Sequence, residues 1–188
     1  MKSSRRNYPE INTGSTADIA FLLLIFFLVT AVIPNDSGIN RKLAPLCPDG
    51  MDCSNDTIEM RNILEIKINA KDELLVNNQI TSIITLKDIT KEFLSNNGDG
   101  SCNYCDGLKH NTLSESPKKA VVSLSNDSST SYNFYINVQD QITKAYYELR
   151  SDYALNILNK SSNELTLEEL KKTREAYPFN LSETQIKH

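Results

Sequence analysis

An α+β domain behind one membrane-length helix is the fold class this sequence predicts, and three observations predict it. A fifteen-residue run from Ile19 to Ile33, apolar except at Thr30, stands near the N-terminus. Leu64, Ile66 and Ile68 alternate with Glu65, Lys67 and Asn69, the period-two mark of a half-buried strand. After Tyr135 the apolar residues recur at three- and four-residue steps, the mark of a helix. The expected order after the span is strand, strand, helix, strand, helix, followed by an extra C-terminal helix.

The first element is the span. At about 1.5 Å per residue the apolar run covers about 22 Å, short of a hydrocarbon core of about 30 Å. Pro34-Asn35-Asp36 closes any helix, so the missing length has to come from upstream. Counting back about 20 residues from Pro34 reaches Gly14. The expected limits are therefore a tail at 1–13 and a transmembrane helix at 14–33, with Asp18 one turn inside the membrane. A carboxylate there costs about 2.5–3.5 kcal/mol on insertion scales. It is expected to be shielded by partners or protonated, and to have a use. Ser15-Thr16-Ala17-Asp18 also has the spacing of a capping box, so Asp18 as the cap of a shorter helix stays open from spacing alone. Leu22, Ile25 and Val29 follow Asp18 on its own helical face and are candidates for contact with a partner, a second copy or lipid.

A secretory signal peptide has a similar outline, and Val29-Thr30-Ala31 has the look of a cleavage site. Asp18 at the mouth of the run, and Val32-Ile33 continuing beyond the cut, argue for a retained span. Lys2, Arg5 and Arg6 precede it closely, which directs the N-terminus to the cytoplasm and residues 35–188 to the outside. In an oxidising space the four cysteines, Cys47, Cys53, Cys102 and Cys105, are expected to form local disulfides 47–53 and 102–105. Three connectivities are open to four cysteines, and only Cys102-Asn-Tyr-Cys105 has the spacing of a zinc knuckle.

Composition narrows the function. The chain has 188 residues, 39 % of them hydrophobic, and a net charge of −4, concentrated beyond residue 33. This leaves room for the span and one modest domain, not for a multi-span transporter, and the acidic balance excludes nucleic acid as the partner.

Beyond the span, residues 34–62 are rich in Pro, Asn, Asp and Gly and read as a linker. The strand at Ile63 turns through Ala70-Lys71-Asp72 into a second, Glu73 to Asn77, forming a hairpin. Thr85-Leu86-Lys87-Asp88 has capping-box spacing for a helix that buries Leu86, Ile89 and Phe93 and ends before Gly98. Residues 98–118 hold few apolar residues and read as an inserted loop. Ala120 to Leu124 suits a buried strand. Tyr135, Val138, Ile142, Ala145 and Leu149 line the next helix, and the domain is expected to close at residue 158. The remainder, 159–188, reads as an extension whose short helix starts at Thr166-Leu167-Glu168-Glu169 and ends before Pro178. No catalytic motif appears, and His110 and His188 fall in a loop and at the terminus. The chain is expected to be no enzyme and to use neither metal nor cofactor.

Ile11-Asn12, Asp18 six residues after the asparagine, and Leu22-Leu23-Leu24-Ile25-Phe26-Phe27 together resemble the ExbD/TolR family of inner-membrane energy-transducing subunits. The resemblance is specific over residues 8–45 and holds as element order over 63–155. The stretch from Lys119 to Tyr153 and the long tail resemble the larger ExbD-type proteins of the Bacteroidetes group. Many relatives have proline where this chain has Ser15. The resemblance implies that Asp18 is the proton carrier and that the domain is periplasmic. It also implies two copies of the span inside a ring of a multi-span ExbB-like protein, passing motion to a TonB-like protein that energises outer-membrane transport. A TolR-like role in envelope integrity is the alternative within the family. A membrane-anchored binding module with Asp18 as a mere cap is the alternative outside it.

Overall fold

The computed structural model describes residues 13–30 and 58–186. The chain divides into two units, residues 1–51 and 52–188. In the first, Thr13–Thr30 forms helix α1, 18 residues long. It begins one residue before the expected span, and positions 31–33 lie outside the described residues.

In the second unit, β1 (Ile63–Ile68) alternates as its sequence requires: Leu64, Ile66 and Ile68 are buried and their neighbours half-buried. Asn69 folds the chain back, its side-chain oxygen accepting from the amides of Lys71 and Glu73 at 2.9 Å each. The returning strand β2 (Leu74–Val76) pairs antiparallel with β1. Asn77 and Asn78, both at positive φ, then make a two-residue turn into β3 (Gln79–Ile80).

Helix α2 spans Ile83–Ser95 and starts earlier than expected. Its cap is Ser82, whose hydroxyl accepts from the Ile84 amide at 3.3 Å, so Thr85 is already helical and the Thr85–Asp88 box does not form. Leu86 and Phe93 are buried and Ile89 packs against the core. The expected loop occupies the chain from Asn96 to Ala120, ahead of β4 (Val121–Asp127), which pairs parallel with β1. That loop is held from within. Asn96, fully buried, donates to the carbonyls of His110 and Ser114 and accepts from the His110 amide. Gly107 passes so close to the Ser95 carbonyl that a Cβ has no room there.

Helix α3 (Tyr132–Leu158) is capped by Ser131 and ends at Asn159 in the left-handed conformation. Val138, Ile142, Ala145, Tyr146 and Leu149 are buried on one side of it. Val138, Ile142, Tyr146 and Leu149, together with Leu86, Phe93 and Leu94 of α2, form a single core with the apolar residues of β1, β2 and β4.

The tail departs from expectation. Helix α4 (Leu167–Ala176) forms as read from the sequence, but β5 (Leu181–Ile186) then pairs parallel with β4. The end of the tail therefore adds a strand to the sheet. The sheet order is β3-β2-β1-β4-β5. Neither β3 nor β5 alternates: both residues of β3 and five of the six in β5 are exposed, so backbone pairing alone makes them strands.

At the start of α4 the capping box is complete, the Glu169 carboxylate accepting from the Thr166 amide at 2.9 Å and from Lys160 Nζ at 2.6 Å. These bonds, that of Lys160 foremost, pull the Glu169 carboxyl from an ordinary 4.5 down to about 2. A depressed carboxylate stabilises the fold above its unfolded value. That contribution should fade as pH falls from 4.5 through about 2. An NMR titration of the Glu169 side chain should follow it, and Lys160→Ala should move the midpoint back up. A midpoint unchanged in the variant would show that Lys160 is not the cause.

Candidate functional site

Helix α1 carries one ionisable side chain, Asp18, in an 18-residue window of mean hydropathy 1.9. Its length and composition suffice to cross a membrane, and none of its residues is buried within the chain. The apolar residues from Phe21 to Leu28 stand half or more exposed, save Ile25 at 39 %. A surface this apolar is stable only in lipid or against other apolar helices.

Successive residues turn by about 100°, so Leu22, Ile25 and Val29 lie within about 40° of the direction of Asp18. The helix thus puts the four residues on one face, with Ile25 two turns beyond the carboxylate. Ser15 is itself helical, inside a helix under way since Thr13, so the Ser15–Asp18 capping box does not form. Two threonine hydroxyls of the helix bond back to its own carbonyls. Thr16 donates to the Thr13 carbonyl at 3.0 Å and Thr30 to the Phe26 carbonyl at 2.7 Å, satisfying both groups within the helix as an apolar medium demands. Asp18 has no ion-pair partner among the described residues. An uncompensated carboxylate on an apolar helix calls for a proton or for groups supplied by another chain.

Cys102 and Cys105 are joined by a disulfide in the loop between α2 and β4, whereas Cys47 and Cys53 lie outside the described residues. Cys102 is buried, its amide donating to Asn97 Oδ1 and its carbonyl accepting from Asn97 Nδ2, at 2.9 and 2.7 Å. Between the cysteines, Tyr104 joins a cluster the sequence did not announce. Its ring lies 5.1 Å from that of Tyr153 and 5.6 Å from that of Tyr177. Burial pushes the phenols of Tyr104 and Tyr177 up from their ordinary value. The tyrosines come from three elements up to 73 residues apart, so no local pattern announces them.

Across α2 and α3, Glu148 accepts from Lys87 and Lys91 at 2.8 and 2.9 Å, and the two ammonium groups hold its carboxyl below the usual range. This is an interhelical tie on a solvated face, at home in a structural role.

A family model described as "Biopolymer transport protein ExbD/TolR" matches residues 4–151. The match takes in α1 and the domain from β1 into α3, and leaves α4 and β5 outside it. No individual curated protein matches the chain.

Proposed function

Since the chain belongs to the ExbD/TolR family of biopolymer transport proteins, we propose that it is a subunit coupling the proton-motive force to transport, with Asp18 as the group that binds and releases the proton. The observation that carries this reading is the isolation of that carboxylate: one acid in a helix otherwise built for lipid. Helix α1 then lies in the inner membrane as a single pass, with the N-terminus cytoplasmic and the α+β domain periplasmic.

The charge and the exposed apolar surface of such a helix require company. A multi-span ExbB-like ring around two copies of α1 shields Asp18 from lipid and provides the path by which protons reach it. Leu22, Ile25 and Val29, on the face of Asp18, then contact the ring or the second copy. In the charged state Asp18 is attracted to polar groups of the ring; in the neutral state it tolerates apolar contact. The two states favour different positions of α1, which is the requirement for a ligand, here a proton, to shift a packing equilibrium. Each proton crossing the full potential supplies about 2.3 kcal/mol per 100 mV. The periplasmic domain receives the motion and hands it to a TonB-like protein, energising outer-membrane transport. A TolR-like role in envelope integrity uses the same proton step with a different recipient.

Gentle detergent extraction of the tagged full-length chain should recover a multi-span membrane protein in excess over two copies of the chain, counted by native mass spectrometry. Recovery of the chain alone, from membranes where it is active, would leave only the anchored binding module.

A further inference from the structure

The segment that leads into β5 is gripped from three sides. Arg150 donates from Nε and Nη2 to the Tyr177 carbonyl at 2.9 and 2.7 Å. Phe179 sets its ring 4.6 Å from that of buried Tyr146. The third hold comes from the disulfide loop: Tyr104 donates its hydroxyl to the Ala176 carbonyl at 2.8 Å and stacks edge-on with Tyr177, whose own hydroxyl reaches Cys105 Sγ at 3.9 Å. Strand β5 itself is held by its backbone pairing with β4 and by the Gln139–Glu183 side-chain bond, with five of its six residues exposed.

We propose that Cys102–Cys105 is a reversible redox site, reducible by a dithiol, and that its state decides how firmly residues 176–186 are held on the sheet. The two ends of the disulfide are not equivalent. Cys102 is buried and fastened to Asn97 through both backbone groups, whereas Cys105 is half-buried at the surface. A reductant's thiolate therefore attacks Cys105 Sγ, forming a mixed disulfide and expelling the Cys102 thiolate, which takes up a proton. The reductant's second thiol, as thiolate, then displaces Cys105 as a thiolate, which is protonated in turn. Two electrons and two protons pass to the protein, and the reductant leaves as its own disulfide.

In the closed form the four-residue ring sets the backbone of Tyr104, and with it the aim of ring and hydroxyl. Opening the ring frees Cys105 and Tyr104 while Cys102 stays on Asn97. The rest of the loop remains fixed by Asn96, which bonds to His110 and Ser114, and by the Asn62 side-chain oxygen, which accepts from the Glu115 amide at 2.8 Å. The loss is thus confined to the hold on Ala176 and Tyr177, the hinge from which β5 departs to cover β4.

Hydrogen exchange by mass spectrometry on the full-length chain in detergent micelles tests this, comparing the oxidised protein with the dithiothreitol-treated protein and with C102S/C105S. Alkylation reports which cysteines are reduced. Exchange in residues 176–186 should quicken about tenfold in both altered forms while β1 stays unchanged, as a local opening requires. Tyr104→Ala should do the same with the disulfide intact. A pair that resists dithiothreitol, unaltered exchange in 176–186 once it is reduced, or equal quickening in β1 would overturn the proposal. So would a response to dithiothreitol that C102S/C105S does not reproduce, since that response belongs to Cys47 and Cys53.

Discussion

Asp18→Asn should abolish energy coupling while leaving the complex assembled. Asparagine keeps the size of the side chain and much of its hydrogen-bonding capacity, but it neither gains nor loses a proton in the working pH range. If the carboxylate cycles between charge states, the variant is locked in a neutral state and the packing equilibrium of α1 loses its driver. The expected loss is complete, because no other ionisable group lies within α1 to take over. The measurement is proton-dependent uptake across the outer membrane, or envelope resistance to detergent if the role is TolR-like. It is made beside the yield of partner protein that co-purifies with the variant. Normal coupling by Asp18→Asn would sink the proposal outright, and reduced co-purification would mean that Asp18 serves assembly instead. Ile25→Ala, on the same face, should weaken assembly without abolishing the proton step.

The largest effect on stability is expected from Ile142→Ala. Ile142 is fully buried in the middle of α3, inside the core shared by α2 and the sheet. Removing three of its carbons forfeits their transfer energy and leaves a cavity that a helix packed on both flanks cannot collapse. The loss should be about 2–5 kcal/mol, a large share of the roughly 5–15 kcal/mol that stabilises an ordinary domain. Chemical denaturation of the full-length protein in micelles, followed by loss of tyrosine near-ultraviolet circular dichroism, gives the number. Lys144→Ala, two residues on and exposed, breaks only a surface pair with Asp140 and should cost no more than about 1 kcal/mol. Equal losses in the two variants would mean that α3 does not face the core as described.

Some elements of this protein were legible one residue at a time. The alternation of β1 and the three- and four-residue steps of α3 mark the buried faces that the structure shows, because the pleat and the helical turn each impose a period on any half-buried segment. The box at Thr166–Glu169 was legible because all its partners lie within four residues. The box at Thr85–Asp88 had the same spacing and failed, because Ser82 begins the helix three residues sooner and leaves Thr85 no free terminus to cap. In α1 a reading by spacing alone had two outcomes for Asp18, and the helix already formed at Thr13 removes the capping one.

The identity of β5 was out of reach. Ser182, Glu183, Thr184, Gln185 and Ile186 are exposed and make no apolar stripe; what makes them a strand is the row of backbone hydrogen bonds that β4 offers along its free edge. The clusters around Asn96 and Tyr104 share that difficulty, joining residues 14 to 73 positions apart.

By itself the sequence determined that a single acid sits in a helix long and apolar enough to cross a membrane, and which stretches turn an apolar face toward a core. Both are properties of a segment's own composition and period, and the solvent around it enforces them. Only the tertiary structure decided the order of the five strands, the closing of the sheet by the tail, and the meeting of the disulfide loop with the C-terminal arm. Backbone groups are the same in every residue and distant side chains leave no trace in each other's neighbourhood, so these arrangements exist only once the chain has brought its parts together.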